Sequence, residues 1–129
     1  MLPLIARIRE RVGCAVAAQP VPYRTTGDSP TMESLRAEGV NRVFPLALDP
    51  FSCTRFEMAD FAVAARDLGV NYVGICCGAG PHHVRAMAEA LGRTVPASKY
   101  SPSMDLHPVL GTAASRQDRA MLDAWNVTS

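Results

Sequence analysis

The alternation of short apolar runs with amphipathic segments is the feature that most constrains the fold of this chain. Residues 14–23, CAVAAQPVPY, are mostly small or β-branched, and residues 70–78, VNYVGICCG, form a second apolar run. Continuous runs of this length, ended by proline or glycine, are typical of strands buried on both faces. Because helical patterns alternate with these runs, we expect βα units, a parallel sheet and the α/β class.

Three segments carry helix signals. The clearest begins at Thr54, which forms a capping-box pattern with Glu57, and ends at Gly69. Its apolar residues recur at helical spacing and define one face: Met58, Phe61, Ala62, Ala65 and Leu68. Two further helices are predicted over Leu2–Val12 and from Pro81 to Gly92. Two parallel strands do not cover both faces of a sheet, so we expect the C-terminal part of a larger α/β fold.

The remaining segments are rich in proline and glycine. The stretch from Arg24 to Asp49 predicts a long irregular connection with a short helical turn at Met32–Ala37. From Thr94 onward the composition is that of a tail, in which Gln117 to Trp125 is expected to form a last short helix. His107 falls in this tail, where we expect it to be exposed to solvent.

Composition excludes several classes of function. The 129 residues carry 13 Lys and Arg against 12 Asp and Glu, a net charge of +1, so no nucleic-acid partner is expected. No apolar stretch approaches the ~20 residues of a membrane span, so no membrane partner is expected either. The N-terminal segment lacks the charge order of a signal peptide. We therefore predict a cytoplasmic protein whose four cysteines are reduced.

The adjacent pair Cys76 and Cys77 is the strongest candidate for chemistry. It lies where the second strand enters a glycine-rich turn, and ligands bind beyond the carboxyl ends of parallel strands. Flanking glycines allow the backbone to leave the regular pleat, and the dipole of the helix at Pro81 is expected to lower the cysteine pKa. Three interpretations remain open: a metal site, which the pattern favours, a vicinal disulfide, or two small buried residues.

A catalytic zinc site needs three protein ligands and one open position, so a third ligand has to be sought. His82 and His83 are nearest in sequence, but at a helix start they are expected to be surface groups or caps. Cys14 lies at the start of its strand, the wrong end for this site. Cys53 precedes the N-cap of a helix, and we assign both Cys14 and Cys53 structural roles.

The segment DLGVNYVGICCGAGPHHVRAMAEAL resembles the C-terminal signature of the homocysteine S-methyltransferases, a family that includes betaine–homocysteine methyltransferase. QPVPYRTT and VPASKYS are similar to neighbouring parts of the family, and the resemblance runs from about Leu4 to Tyr100. It implies the last βα units of a TIM (β/α)₈ barrel over residues 1–100, followed by a tail over 101–129. It also implies a zinc ion held by three cysteines, two of which match Cys76 and Cys77, the third belonging to an earlier strand without a match here.

The activity implied by the resemblance is zinc-dependent transfer of a methyl group to the sulfur of homocysteine, giving methionine. A TIM barrel takes about 250 residues, so we expect this chain to be inactive alone. Its expected partners are homocysteine and a methyl donor in the complete enzyme, together with the missing N-terminal part of the barrel or further copies of the chain. Two alternatives stay open: a non-catalytic remnant or assembly module, and a small metal or redox protein using the adjacent thiols.

Overall fold

The computed structural model describes residues 1–40, 42–103 and 105, and it divides into two compact units, Met1–Ser98 and Lys99–Ser129. The first unit contains, in chain order, α1 (Leu2–Arg9), β1 (Ala17–Ala18), α2 (Arg55–Asp67), β2 (Tyr72–Val73) and α3 (Pro81–Ala90). Short 3₁₀ turns occupy Met32–Ser34, Asp49–Phe51 and Pro96–Tyr100. In the second unit only residues 99–103 and 105 are described, so the predicted helix at Gln117–Trp125 and the exposure of His107 lie outside the described residues.

The two strands form a parallel ladder, as the sequence predicts. Ala17 pairs with Tyr72 and Ala18 with Val73. Three amides in and after β2 donate to three carbonyls in and beside β1 at matching intervals: Tyr72 to Val16 at 3.2 Å, Gly74 to Ala18 at 2.9 Å and Cys76 to Pro20 at 2.8 Å. Evenly spaced bonds of this kind are typical of a parallel pair, and they confirm the α/β class.

Both strands are shorter and less buried than predicted. Regular strand geometry covers two residues in each, where the apolar runs span residues 14–23 and 70–78. Pro20 has no amide to donate, so the reciprocal bonds of the ladder stop there. Tyr72 is 60% exposed, because the described residues place a helix layer against only part of this small sheet. The prediction of strands buried on both faces was therefore wrong.

Helix boundaries agree with the local signals. The side chain of Thr54 accepts a bond from the amide of Glu57 at 3.2 Å, and the carboxylate of Glu57 accepts one from the amide of Thr54 at 2.7 Å. This confirms the capping box that begins α2. Gly69 and Gly92 follow α2 and α3 with positive φ, the conformation that ends helices. The first helix ends at Arg9, earlier than predicted, and none of the helices in the described residues is long and apolar enough to cross a bilayer.

Two apolar clusters hold the first unit together, and α2 contributes to both. One cluster joins α1, β1 and α2 through Ile5, Ala18, Ala65 and Val70. The other joins α2 and α3 through Met58, Ala62 and Met87. Ala62 and Ala65 are fully buried. Their small side chains allow α2 to pack closely against its neighbours.

An ion pair fixes the start of the long connection against α2. The guanidinium of Arg24 donates two bonds to the carboxylate of Glu57, at 2.8 Å and 2.5 Å. These bonds, with those from Thr54, lower the pKa of Glu57 from 4.5 to about 2. One carboxylate therefore caps a helix and anchors the segment that leaves the first strand.

Enlarging Ala62 tests the packing of α2 on α3. We expect Ala62→Leu to reduce the free energy of unfolding by about 1–3 kcal/mol, because added methyl groups force apart two closely packed helices. Chemical denaturation measures this. The matched control is Ala90→Leu, the same change at an exposed position of α3, which should leave the stability almost unchanged. Equal stability of the two variants would contradict the assigned packing.

The pH dependence of folding tests the Arg24–Glu57 pair. Because folding lowers the pKa of Glu57, its contribution is complete above pH 4.5 and is lost as the pH falls towards about 2. Thermal melts should show wild type a few degrees more stable than Glu57→Gln near neutral pH, with the gap closing in acid. Glutamine keeps a capping acceptor, so the gap reports the charge. A gap independent of pH would exclude the pair as its source.

Candidate functional site

The adjacent cysteines lie at the carboxyl end of the parallel ladder, where the sequence predicts a site. The amide of Cys76 makes the last bond of the ladder, to the carbonyl of Pro20. Its Sγ lies 3.6 Å from the Sγ of Cys77. Both side chains are exposed and both are free thiols, since a disulfide requires about 2.05 Å between sulfurs. Within the described residues the pair is therefore not part of the apolar core.

The turn after the pair is shaped by one glycine with positive φ. Gly78 has a φ of 90°, and a Cβ there would lie 2.2 Å from the hydroxyl oxygen of Tyr23. Gly74 and Gly80 have no positive φ, so their part in the turn is steric rather than conformational. At Gly74 a Cβ would lie 3.0 Å from the side chain of Gln19. Residues that follow β1 thus pack directly against the loop that carries the thiols.

The electrostatics of the pair differ from the prediction. The Cys76 thiol beside Cys77, through its hydrogen bond and its charge, raises the pKa of Cys77 above its ordinary value. The predicted lowering by the dipole of α3 was therefore wrong for Cys77. The physical cause is the adjacent thiol, whose Sγ lies 3.6 Å from that of Cys77, because an electron-rich neighbour disfavours a second thiolate.

The two histidines have different environments. His83 is 4% exposed, and its Nδ1 accepts a bond from the amide of Gly80 at 3.0 Å, while its Nε2 lies 2.8 Å from the carbonyl oxygen of Cys53. His82 is exposed at the surface, and partial desolvation of its ring is the largest cause that lowers its pKa. His83 is thus a helix cap and His82 a surface group, the two roles that the sequence suggests for this position.

The remaining cysteines lie apart from the pair. Cys14 is exposed, and its carbonyl accepts a bond from Arg9. Cys53 packs against the cluster of Met58, Ala62 and Met87, and its burial raises the pKa of its thiol. In the described ranges no group of three His, Cys, Asp or Glu side chains could hold a metal ion. The structure therefore brings together Cys76 and Cys77 and no third ligand among the residues it describes.

The pair itself has the spacing that a tetrahedral metal requires. Two thiolates bound to zinc at about 2.3 Å, at a tetrahedral angle, lie roughly 3.8 Å apart. The observed 3.6 Å is close to that value. Exposure leaves room for further ligands on the open side. The two residues thus fit the zinc site implied by the resemblance, as two members of a larger set.

Sequence reasoning missed two residues that shape the site. Tyr23 has no local signal for its contact with Gly78, because the contact depends on how the connection after β1 returns to the sheet. The role of His83 could have been found, since the third residue of a helix is where a side chain caps the preceding amide. Its second bond, to the carbonyl of Cys53, joins residues thirty positions apart, so no local sequence pattern predicts it.

Comparison with known proteins gives consistent matches. The sequence profile described as homocysteine S-methyltransferase matches residues 4–91. Betaine–homocysteine S-methyltransferase 1 of Xenopus laevis is 54% identical over 48 residues, 37% of this chain and 12% of that protein. Its counterpart in Xenopus tropicalis is 38% identical over 86 residues, 64% of this chain and 21% of that protein. An S-methylmethionine–homocysteine S-methyltransferase of Rattus norvegicus is 39% identical over 72 residues, 50% of this chain and 20% of that protein.

These matches cover the part of the chain in which the site lies. The residues matched by the profile include both strands, α2 and α3 entirely, α1 except for Leu2 and Pro3, and the two adjacent cysteines. The alignments span about 12% to 21% of the length of the three relatives. A profile match over more than half of the chain establishes the relationship: this chain belongs to the homocysteine S-methyltransferase family.

Proposed function

We propose that this chain forms the last βα units of a (β/α)₈ barrel in an enzyme that methylates homocysteine. Membership of the family and the parallel βα arrangement support the barrel. The observation that carries the proposal is the pair of exposed thiols, 3.6 Å apart, at the carboxyl end of the ladder. That face is where barrel enzymes place their active sites.

Cys76 and Cys77 are the residues that would hold zinc. A bound zinc ion supplies Lewis acidity that lowers the pKa of a coordinated thiol, so that homocysteine is a thiolate near neutral pH. The chain contributes the two sulfurs and a loop that fixes them through Pro20, Tyr23 and the cap of α3. A third thiolate from outside the described residues would complete the set of three protein ligands.

The proposed reaction is a displacement at a methyl carbon. The homocysteine thiolate attacks a methyl group on a positively charged nitrogen or sulfur of the donor. A new carbon–sulfur bond forms, the old bond to the methyl carbon breaks, and its electron pair neutralises that atom in the departing demethylated donor. The relatives are named for betaine and for S-methylmethionine, which both carry methyl groups on a positively charged atom, so we propose a donor of this class. The role of the protein is to align the reacting atoms.

The free thiols and the short length of the chain bear on its proposed compartment and its proposed partner. All four cysteines are free, which supports a reducing compartment such as the cytoplasm. The chain covers about a fifth or less of the aligned relatives, so we propose that the rest of the barrel, in the same or another chain, is its partner. Homocysteine and the donor would then bind between the two parts.

Zinc binding by the isolated chain tests the ligand assignment. We expect Cys77→Ser to lower the affinity for zinc about tenfold or more, because one of two thiolate ligands is lost. Competition with a chromophoric chelator measures the affinity. Cys14→Ser is the matched control, an exposed free cysteine away from the pair, and should bind zinc like wild type. Equal affinities of the two variants would refute the assignment of Cys77.

Turnover tests the dependence on the rest of the barrel. The isolated chain, given zinc, homocysteine and either betaine or S-methylmethionine, should form no methionine above background, because its described residues hold two ligands of three. Mass spectrometry of the products measures this. A full-length betaine–homocysteine S-methyltransferase serves as the positive control. Methionine formed by the isolated chain would contradict the proposed need for a partner.

A further inference from the structure

His83 joins the two loops that leave the carboxyl ends of the strands. It is 4% exposed, a degree of burial at which both ring nitrogens need partners. Nδ1 accepts from the amide of Gly80, in the loop after β2, and Nε2 faces the carbonyl of Cys53, at the end of the connection after β1. One buried ring thus links segments that are thirty residues apart.

The two partners define the protonation of the ring. The amide of Gly80 can only donate, so Nδ1 carries no hydrogen. The carbonyl of Cys53 can only accept, so Nε2 carries the hydrogen and donates it at 2.8 Å. His83 is therefore a neutral imidazole in a single tautomer, and both of its hydrogen-bonding groups are used inside the protein.

The loop of residues 76–80 has three attachments to the segment that follows β1. The amide of Cys76 donates to the carbonyl of Pro20, Gly78 packs against Tyr23, and the amide of Gly80 donates to His83, whose Nε2 reaches the carbonyl of Cys53. The third attachment leads back to the residues after β1, because Cys53, which His83 contacts, donates its amide to the carbonyl of Pro22 at 2.8 Å. The ring thus anchors the far end of the loop to the same backbone that holds its near end.

We propose that His83 is a positioning residue that holds the exposed thiols of Cys76 and Cys77 in a convergent arrangement. The proposal rests on the proposed function in assigning those thiols to a metal. His83 itself binds no substrate or metal, because both of its nitrogens are occupied. Its effect acts through the Gly80 end of the loop, while the ladder fixes the Cys76 end.

A residue that only caps α3 and a residue that positions the loop differ in which backbone amides they protect from hydrogen exchange. Loss of a cap destabilises the helix and, with it, the whole unit, so all amides exchange faster together. Loss of a positioning residue opens the loop locally. Amides of the loop then exchange faster than the amides in the middle of α3, such as Met87, whose residue lies in the apolar core.

Three variants separate these outcomes. His83→Phe keeps a buried ring and removes both hydrogen bonds, and His83→Asn keeps an acceptor close to the position of Nδ1. His82→Phe is the matched control, because it is the same change at the exposed neighbour, whose ring centroid lies 4.0 Å from that of His83. Hydrogen exchange followed by NMR under folding conditions reports Cys76, Gly80 and Met87 separately.

We expect His83→Phe to speed the exchange of Gly80 about tenfold relative to Met87, the size of one lost hydrogen bond. Cys76 keeps its bond to Pro20, so its exchange should rise relative to Met87 by a smaller factor, as the loop opens. His83→Asn should restore part of the protection at Gly80, and His82→Phe should change none of the ratios. Acceleration of all amides by one factor, or no change in the loop, would overturn the positioning role. Exchange requires no metal, so it decides the role of His83 even if the proposed function fails.

Cadmium binding connects the loop to the thiols. Titration of the full chain with Cd²⁺, followed by thiolate-to-cadmium charge-transfer absorption, should show about tenfold weaker binding in His83→Phe than in wild type or His82→Phe. Equal binding in all three would overturn the claim that His83 acts on the thiols. Failure of wild type to bind Cd²⁺ would instead overturn the proposed metal function of the pair.

Discussion

The parallel ladder is the interaction on which the rest of the structure depends. Three amides, at positions 72, 74 and 76, bind carbonyls at 16, 18 and 20, and together they set the register of the two strands. The last of these amides belongs to Cys76, so the backbone of the thiol pair is fixed by the sheet itself. Because Pro20 cannot donate in return, the ladder ends at this point, and the thiols lie at its carboxyl end.

Local signals predicted the helices well and the strands poorly. Thr54 and Glu57 predict the start of α2, and Gly69 and Gly92 predict the ends of α2 and α3. These signals work because helix capping and positive φ depend on residues within one turn. Strand length depends on what lies alongside. The residues from Val70 to Gly78 are apolar enough for a longer buried strand, but with one neighbour in the described residues only Tyr72–Val73 adopt regular geometry.

The candidate site was predictable as far as its chemistry is local. The adjacency of Cys76 and Cys77, and their place after a strand, could be predicted from the sequence. The rise in the pKa of Cys77 could not, because it depends on how closely the two sulfurs approach. The contacts of Tyr23 with Gly78 and of His83 with Cys53 depend on the return of the connection after β1, which no local pattern specifies.

The open edge of the sheet and the incomplete set of zinc ligands can both be completed by one additional element. A cleft of about 530 Å³ runs along β2 and α3, and its lining includes Tyr72, Val73, Ile75 and Met87, apolar side chains that parallel sheets elsewhere cover. A further parallel strand at either edge would end on the same face as Cys76 and Cys77, because the carboxyl ends of parallel strands lie together. The element that covers the edge can therefore also bring the third ligand, so the proposed zinc site and the proposed barrel would be completed by the same event.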